Sequence, residues 1–162
     1  MCVYSFNIME IGYLKDHQTQ IPVIAEWFYR EWGWFYPDLT ARDIEKRFMA
    51  RTHKTVLPLA LVAFDKGKVV GTVSLKDHDM DTRPQYSPWL ASLYVHSPYR
   101  VQGVGNILVD AGIEHAQKLG LEQLYLYTLN RRHVLFYTTR GWSFHEQTIY
   151  RNEDVYIVYR KI

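Results

Sequence analysis

Two β-rich runs meet at a short polar turn in LPLALVAFDKGKVVGTVSL, residues 57–75, the clearest hairpin pattern in the chain. Ahead of it, VYSFNIMEIGY (3–13) reads as an opening strand. Two helical stretches follow from about Ile21, split near Pro37. In the second, Thr40 stands three residues before Asp43, the spacing of a capped helix start. KDHDMDTRPQYSP (76–88) is polar and broken by proline, which predicts a loop. WLASLYV (89–95) is mostly apolar, the pattern of a strand covered on both faces. From Val104 to Leu119 the polar residues Asn106, Asp110, Glu114, Gln117 and Lys118 recur at helical spacing, leaving a broad apolar arc, and Gly120 closes the helix. EQLYLYT (122–128) predicts a strand, RRHVLFYTTR (131–140) a short helix ended by Gly141, and WSFHEQTIY with DVYIVYRKI a last strand pair around RNED. This order of elements implies a mixed sheet flanked by helices.

Composition narrows the picture. The 162 residues, 48% hydrophobic and 22% charged, suit one compact domain spanning 1–162. The formal net charge is +2 and the basic residues are scattered, with no stripe suited to a phosphate backbone, so nucleic acid is not expected as a partner. Cys2 is the single cysteine, which excludes an internal disulfide and suits a reducing, cytoplasmic setting. None of the seven histidines has a zinc-like spacing, and no metal is expected. The longest apolar run, Val56 to Phe64, falls far short of the roughly 20 residues of a membrane span, so no membrane association is expected either.

YRVQGVGNILVDAG (99–112) carries the chemistry. Glycine is a poor helix former, yet Gly103 and Gly105 stand where a helix begins. A helix start leaves about four N–H groups without partners and carries partial positive charge, so it receives an anion that can come close, and an absent side chain permits the approach. Arg100 adds a positive charge nearby. Phosphate binding and a tight strand-to-helix turn both account for the glycines. A Walker loop is excluded because Asn106 follows Gly105, and a dinucleotide fingerprint because Leu108 stands at the third glycine position and Tyr125 near the acidic one.

Arg-x-x-Gly-x-Gly after a strand and opening a helix, with LNRRHVLFYTTRGW some thirty residues later, resembles the GNAT superfamily of acetyl-CoA-dependent N-acetyltransferases. The resemblance runs through nearly the whole element order and is most specific from LYVHSPYRVQGVGNILVDAG to FYTTRGW. It implies an α+β, single-domain fold with a central, mostly antiparallel sheet of about seven strands flanked by about four helices. It also implies that the coenzyme A pyrophosphate lies on Arg100, Val101, Gln102, Gly103, Val104 and Gly105, with Asn106 following, and that Leu93, Tyr94 and Val95 supply main-chain contacts and a bulge for the pantetheine arm and thioester. Asn130 matches a cofactor-contacting position and equally suits a helix cap. Tyr137 matches the tyrosine that protonates the departing thiolate, the alternative being a packed aromatic. His133, one helical turn earlier, is in reach of that hydroxyl or is a packing histidine.

The acceptor is less legible. A lysine-like amine of pKa about 10.4 loses its proton at pH 7 for about 4.6 kcal/mol and an α-amino group near 8 for about 1.4, so a base or water relay is expected for the former. The family's frequent glutamate position is Trp89 here, leaving the base among His78, Asp79, Asp81 and His96. Trp32 in the aromatic run EWFYREWGWFYPD, with Glu26 or Glu31 nearby, and Arg83, paired with the acceptor or with Asp81, complete the acceptor-side candidates. The resemblance thus implies acetyl transfer to a primary amine on a small molecule or peptide, by a monomer or homodimer. A coenzyme A sensor without turnover is the competing function.

Overall fold

The computed structural model describes residues 9–162, and its elements follow in chain order as β1 (Glu10–Tyr13), α1 (Ile21–Trp32), α2 (Ala41–Met49), β2 (Leu59–Asp65), β3 (Lys68–Lys76), β4 (Trp89–Val95), α3 (Val104–Lys118), β5 (Gln123–Thr128), α4 (Arg131–Thr138), β6 (Ser143–Tyr150) and β7 (Glu153–Lys161). The first part of the predicted opening strand, with Cys2, lies outside the described residues. The strands form one sheet in the order β1-β2-β3-β4-β5-β7-β6, and every neighbouring pair is antiparallel except β4 and β5. The fold is α+β.

The long apolar runs are explained by helices on both faces of the sheet. One face packs Leu59, Leu61, Val73, Leu75 and Leu90 against Val104, Leu108 and Ile113 of α3. On the other, Ala60, Val62 and Phe64 meet Ile24, Trp27, Ile44 and Phe48 of α1 and α2. Alternation along each strand therefore sends apolar side chains to both sides. The Thr40–Asp43 pair forms the reciprocal cap read from its spacing: the Asp43 amide donates to Thr40 Oγ1, and the Thr40 amide to Asp43 Oδ2.

Helix α3 sits close to the sheet because Gly112 has no side chain; a Cβ there would lie 2.9 Å from Leu90 Cδ1. His115 is the one polar interruption of its apolar arc, buried and bonded to Tyr13 Oη at 3.3 Å and the Lys54 carbonyl at 2.8 Å.

Strand β4 corrects one expectation. Trp89, Leu90 and Ala91 are buried, but Ser92 to Val95 are only partly so. The reason is β5, which pairs with β4 at Trp89–Tyr125 and, through the Tyr125 amide, at the Pro88 carbonyl, with no further register beyond. Past that point the two parallel strands part.

Candidate active site

The parting of β4 and β5 opens a cleft whose β4 edge is bent. Thr72 of β3 faces Tyr94 and Ser74 faces Ala91, so Ser92 and Leu93 together oppose Val73, and Ser92 takes φ 53°. This is a β-bulge, the device that re-aims a strand. Leu93 and Val95 pack toward α3, while Tyr94 turns to the opposite face and stacks on Trp27 at 5.3 Å.

At the end of β4 the chain enters the loop leading to α3. Gly103 is the N-cap at φ 85°, a left-handed conformation, so the turn alone accounts for this glycine. Gly105 is different. Its backbone is helical, and a Cβ built there would make only ordinary contact, 3.8 Å from Val95 Cγ2, so the fold does not itself demand glycine. The N–H groups of Val101 to Asn106 have no acceptor among the described residues, and Asn106 Oδ1 is buried without a partner. Arg100 does not point along this row. Its Nε donates to the Val95 carbonyl at 2.8 Å, and its guanidinium lies over the Tyr94 ring and 3.6 Å from Glu31.

Across the cleft, α4 begins at Asn130, whose Oδ1 accepts from the Arg132 amide at 2.9 Å, the capping geometry. Tyr137 is buried, edge-on to Phe136 and Trp142. Burial pushes its hydroxyl pKa well above the ordinary tyrosine value. His133 contacts Thr128 Oγ1 at 3.2 Å through Nδ1.

The opposite face of the cleft is aromatic and charged. Trp32 is half-buried between Phe28, 4.9 Å away, and Tyr94, 6.1 Å away. Tyr36 and Tyr127 share a hydroxyl–hydroxyl hydrogen bond of 2.9 Å. Burial, then the charge of Asp79, pushes Tyr36 up to about 12 and raises Tyr127 strongly. The KDHDMD cluster is thus divided: Asp79 turns inward, paired with Lys76 Nζ at 2.7 Å, whereas His78 and Asp81 face solvent. His96 stacks on Trp27 at 4.9 Å, away from that cluster. Trp89 is fully buried and donates to the Tyr86 carbonyl at 2.7 Å, which excludes acid–base work at that position.

Arg83 is engaged by Glu146 of β6, not by Asp81. Its guanidinium holds both Glu146 carboxylate oxygens and Thr148 Oγ1, and Tyr86 Oη adds a bond to Glu146 at 2.8 Å. The pair ties the 77–88 loop to the sheet, and Arg83 holds Glu146 below the usual carboxylate range. A carboxylate depressed by folding contributes above its unfolded pKa and loses the contribution as pH falls through the folded value. Protection factors of amides in residues 77–88, exchange rates divided into the intrinsic rate at each pH, are accordingly expected to be high at neutral pH and to fall on acidification below the usual carboxylate range, and in Glu146→Gln to be low at both; equal protection in the variant would show the loop held by other contacts.

Sequence reasoning did not single out Arg51, Ser92, Tyr127 or Glu146. Alternation in QLYLYT was the available signal for Tyr127, since Leu124 and Leu126 occupy the α3 face and leave the tyrosines to the other.

A mostly antiparallel sheet is thus parted at one parallel pair, with a bulged edge and an open row of amides ahead of the next helix. The chain belongs to the acetyltransferase (GNAT) family, whose family model matches residues 21–142. It is 35% identical over 107 residues to mycothiol acetyltransferase of Propionibacterium freudenreichii subsp. shermanii, a match covering 65% of this chain and 33% of that protein. The chain thus spans about a third of the length of that curated relative. Among solved structures it is similar in fold to aminoglycoside 6'-acetyltransferase type Ii, with a TM-score of 0.71 at 18% identity, covering 94% of this chain and 96% of that one. N-acetylglutamate synthase from Neisseria gonorrhoeae, complexed with coenzyme A and N-acetyl-glutamate, aligns with a TM-score of 0.69 at 16% identity over 95% of this chain and 35% of that one. Among the described residues no group of three or more His, Cys, Asp or Glu is placed to hold a metal, and no helix is long and apolar enough to cross a membrane.

Proposed function

We propose that this chain is an acetyl-CoA-dependent N-acetyltransferase that moves an acetyl group to a primary amine by direct attack. The observation that carries the reading is the row of unpartnered amides from Val101 to Asn106 at the mouth of the β4–β5 cleft, with room in front of Gly105 and a buried orphan oxygen on Asn106. These residues fit a diphosphate: N–H donors converge, the helix start favours negative charge, and no side chain blocks the approach. Acetyl-CoA supplies the activated acyl carbon and a thiolate leaving group. The unpaired edge of β4 from Ser92 to Val95 offers peptide groups to the pantetheine amides, as a missing strand would.

Tyr137 holds the proton for the departing sulfur. Desolvation keeps it protonated at neutral pH, and the same dry cleft disfavours the thiolate, so acid and acceptor are shifted in the same direction. Asp79, the inward-turned member of its cluster, attracts and orients the ammonium, with Tyr36 and Tyr127 beside it. Asn130 remains a helix cap that can also meet the cofactor, and Arg100 reaches the loop by giving up its contacts to Glu31, the Val95 carbonyl and the Tyr94 ring.

Calorimetric titration with acetyl-CoA, followed by thiol release on addition of an amine panel, tests the reading. Saturable heat and amine-dependent thiol are expected. Heat without thiol from any amine would return the chain to a coenzyme A sensor; no heat at all would remove the cofactor.

A further inference from the structure

Arg51 lies between α2 and β2, on the face of the sheet that carries Asp79, Tyr36 and Tyr127, and only 5% of it is exposed. Its backbone is fixed at both ends, the amide donating to the Phe48 carbonyl and the carbonyl accepting from the Ala60 amide. The guanidinium rests 4.3 Å over the Phe48 ring. One nitrogen, Nη1, donates to Ser74 Oγ at 2.9 Å and to Ser92 Oγ at 3.0 Å, and Ser92 is the bulge residue of β4.

What the guanidinium lacks is an anion. No carboxylate among the described residues pairs with it; the nearby Asp79 pairs with Lys76 through Oδ1. Its Nε and Nη2 have no acceptor among the described residues. A buried cation held only by neutral hydroxyls and a ring is under-compensated. The desolvation shows in its pKa, lowered to about 10. On the other side of Tyr36, Arg151 lies over the ring at 4.5 Å and is paired with Asp38 at 3.0 Å, its buried Nε without a partner.

We propose that Arg51 is a specificity residue that binds the carboxylate of a small zwitterionic acceptor, so that the amine acetylated is the α-amino group of an amino acid or a close relative. This rests on the acetyltransferase reading above. In an α-amino acid the amine is two bonds from the carboxyl carbon, so a carboxylate on Arg51, itself one hydrogen bond from the bulge, sets the nitrogen beside the bent edge of β4. Asp79, whose Oδ1 is held by Lys76, has its second carboxylate oxygen left for the ammonium end. In the step, the amine lone pair forms the amide C–N bond, the C–S bond breaks, and the nitrogen's surplus proton leaves to a base or water.

The experiment compares standard α-amino acids with their carboxamides as acceptors, at saturating acetyl-CoA, by thiol release. Wild type is expected to use at least one amino acid with kcat/KM about 30-fold or more above its amide. In Arg51→Met, which fills the buried volume without charge, the KM for that amino acid rises by about the same factor. The KM for acetyl-CoA and the turnover of the amide change by far less than that factor. Equal use of acid and amide by the wild type overturns the proposal, as does an equal loss for both in the variant. The wild-type comparison needs no variant, so it stands even where Arg51→Met folds poorly. Should no amine release thiol, the transferase reading fails separately. The carboxylate site is then judged by thermal shift, where stabilisation by N-acetylated amino acids and not by their amides supports it and equal shifts overturn it.

Discussion

Tyr137→Phe is expected to lower kcat for acetyl transfer about 100-fold while leaving coenzyme A affinity and the melting temperature close to wild type. The ring carries the packing, edge-on to Phe136 and Trp142 at 5.1 and 5.9 Å, and Phe keeps it. The hydroxyl has no acceptor or donor partner among the described residues, and desolvation is the sole cause of its shift, so its removal costs the fold little. What disappears is the proton available to the leaving sulfur. The sign of the shift also fixes the pH profile: because burial raises the pKa, Tyr137 stays protonated through and beyond the ordinary tyrosine range. Wild type should therefore show no loss of rate with rising pH attributable to this group up to about pH 10. A variant with unchanged kcat would take Tyr137 out of the chemistry and leave it a core aromatic.

Gly105→Asp should weaken coenzyme A binding by about 100-fold, with a melting temperature equal to or above wild type. Two physical effects act in opposite directions at this position. A carboxylate in the first turn of α3 meets the positive end of the helix dipole and replaces a glycine at a helical φ/ψ, both favourable for the free protein. The same carboxylate stands in front of the amide row and repels a diphosphate. Gly103 cannot give so clean an answer, since at φ 85° any side chain strains the turn before a ligand is considered. Retained affinity in a stable Gly105→Asp protein would show that the diphosphate lies elsewhere.

The order of elements was legible because both periodicities were strong. Leu59 to Leu75 gave the hairpin, and the spacing of Asp110, Glu114 and Lys118 gave the outer side of α3. The cofactor side of the cleft was equally open to reading, since it is local: a strand, Arg100 to Gly105 and a helix follow one another along the chain. The acceptor side is assembled from distant segments. Arg51 precedes an ordinary strand, Tyr127 sits on β5 and Asp79 on a loop, and nothing in their neighbours announces that they share one face. Partner choice was hidden for the same reason; Glu146 lies 63 residues from Arg83, so an aspartate two positions away looked the natural mate. The second half of WLASLYV is only partly buried, which its sequence hides because a strand lining a cleft and a strand under a helix use the same apolar alphabet.

One pairing, Trp89 with Tyr125, is all that joins β1–β4 to β5–β7 along the sheet. Mechanically the molecule resembles a book with a short spine, its two covers meeting along the sheet only at Trp89 and packed together over the core beneath α3. Anything lodged along the gap completes the binding and stiffens both covers together. Occupancy and rigidity then become one variable, so that hydrogen exchange on β4 and β5 serves as a direct gauge of how full the cleft is.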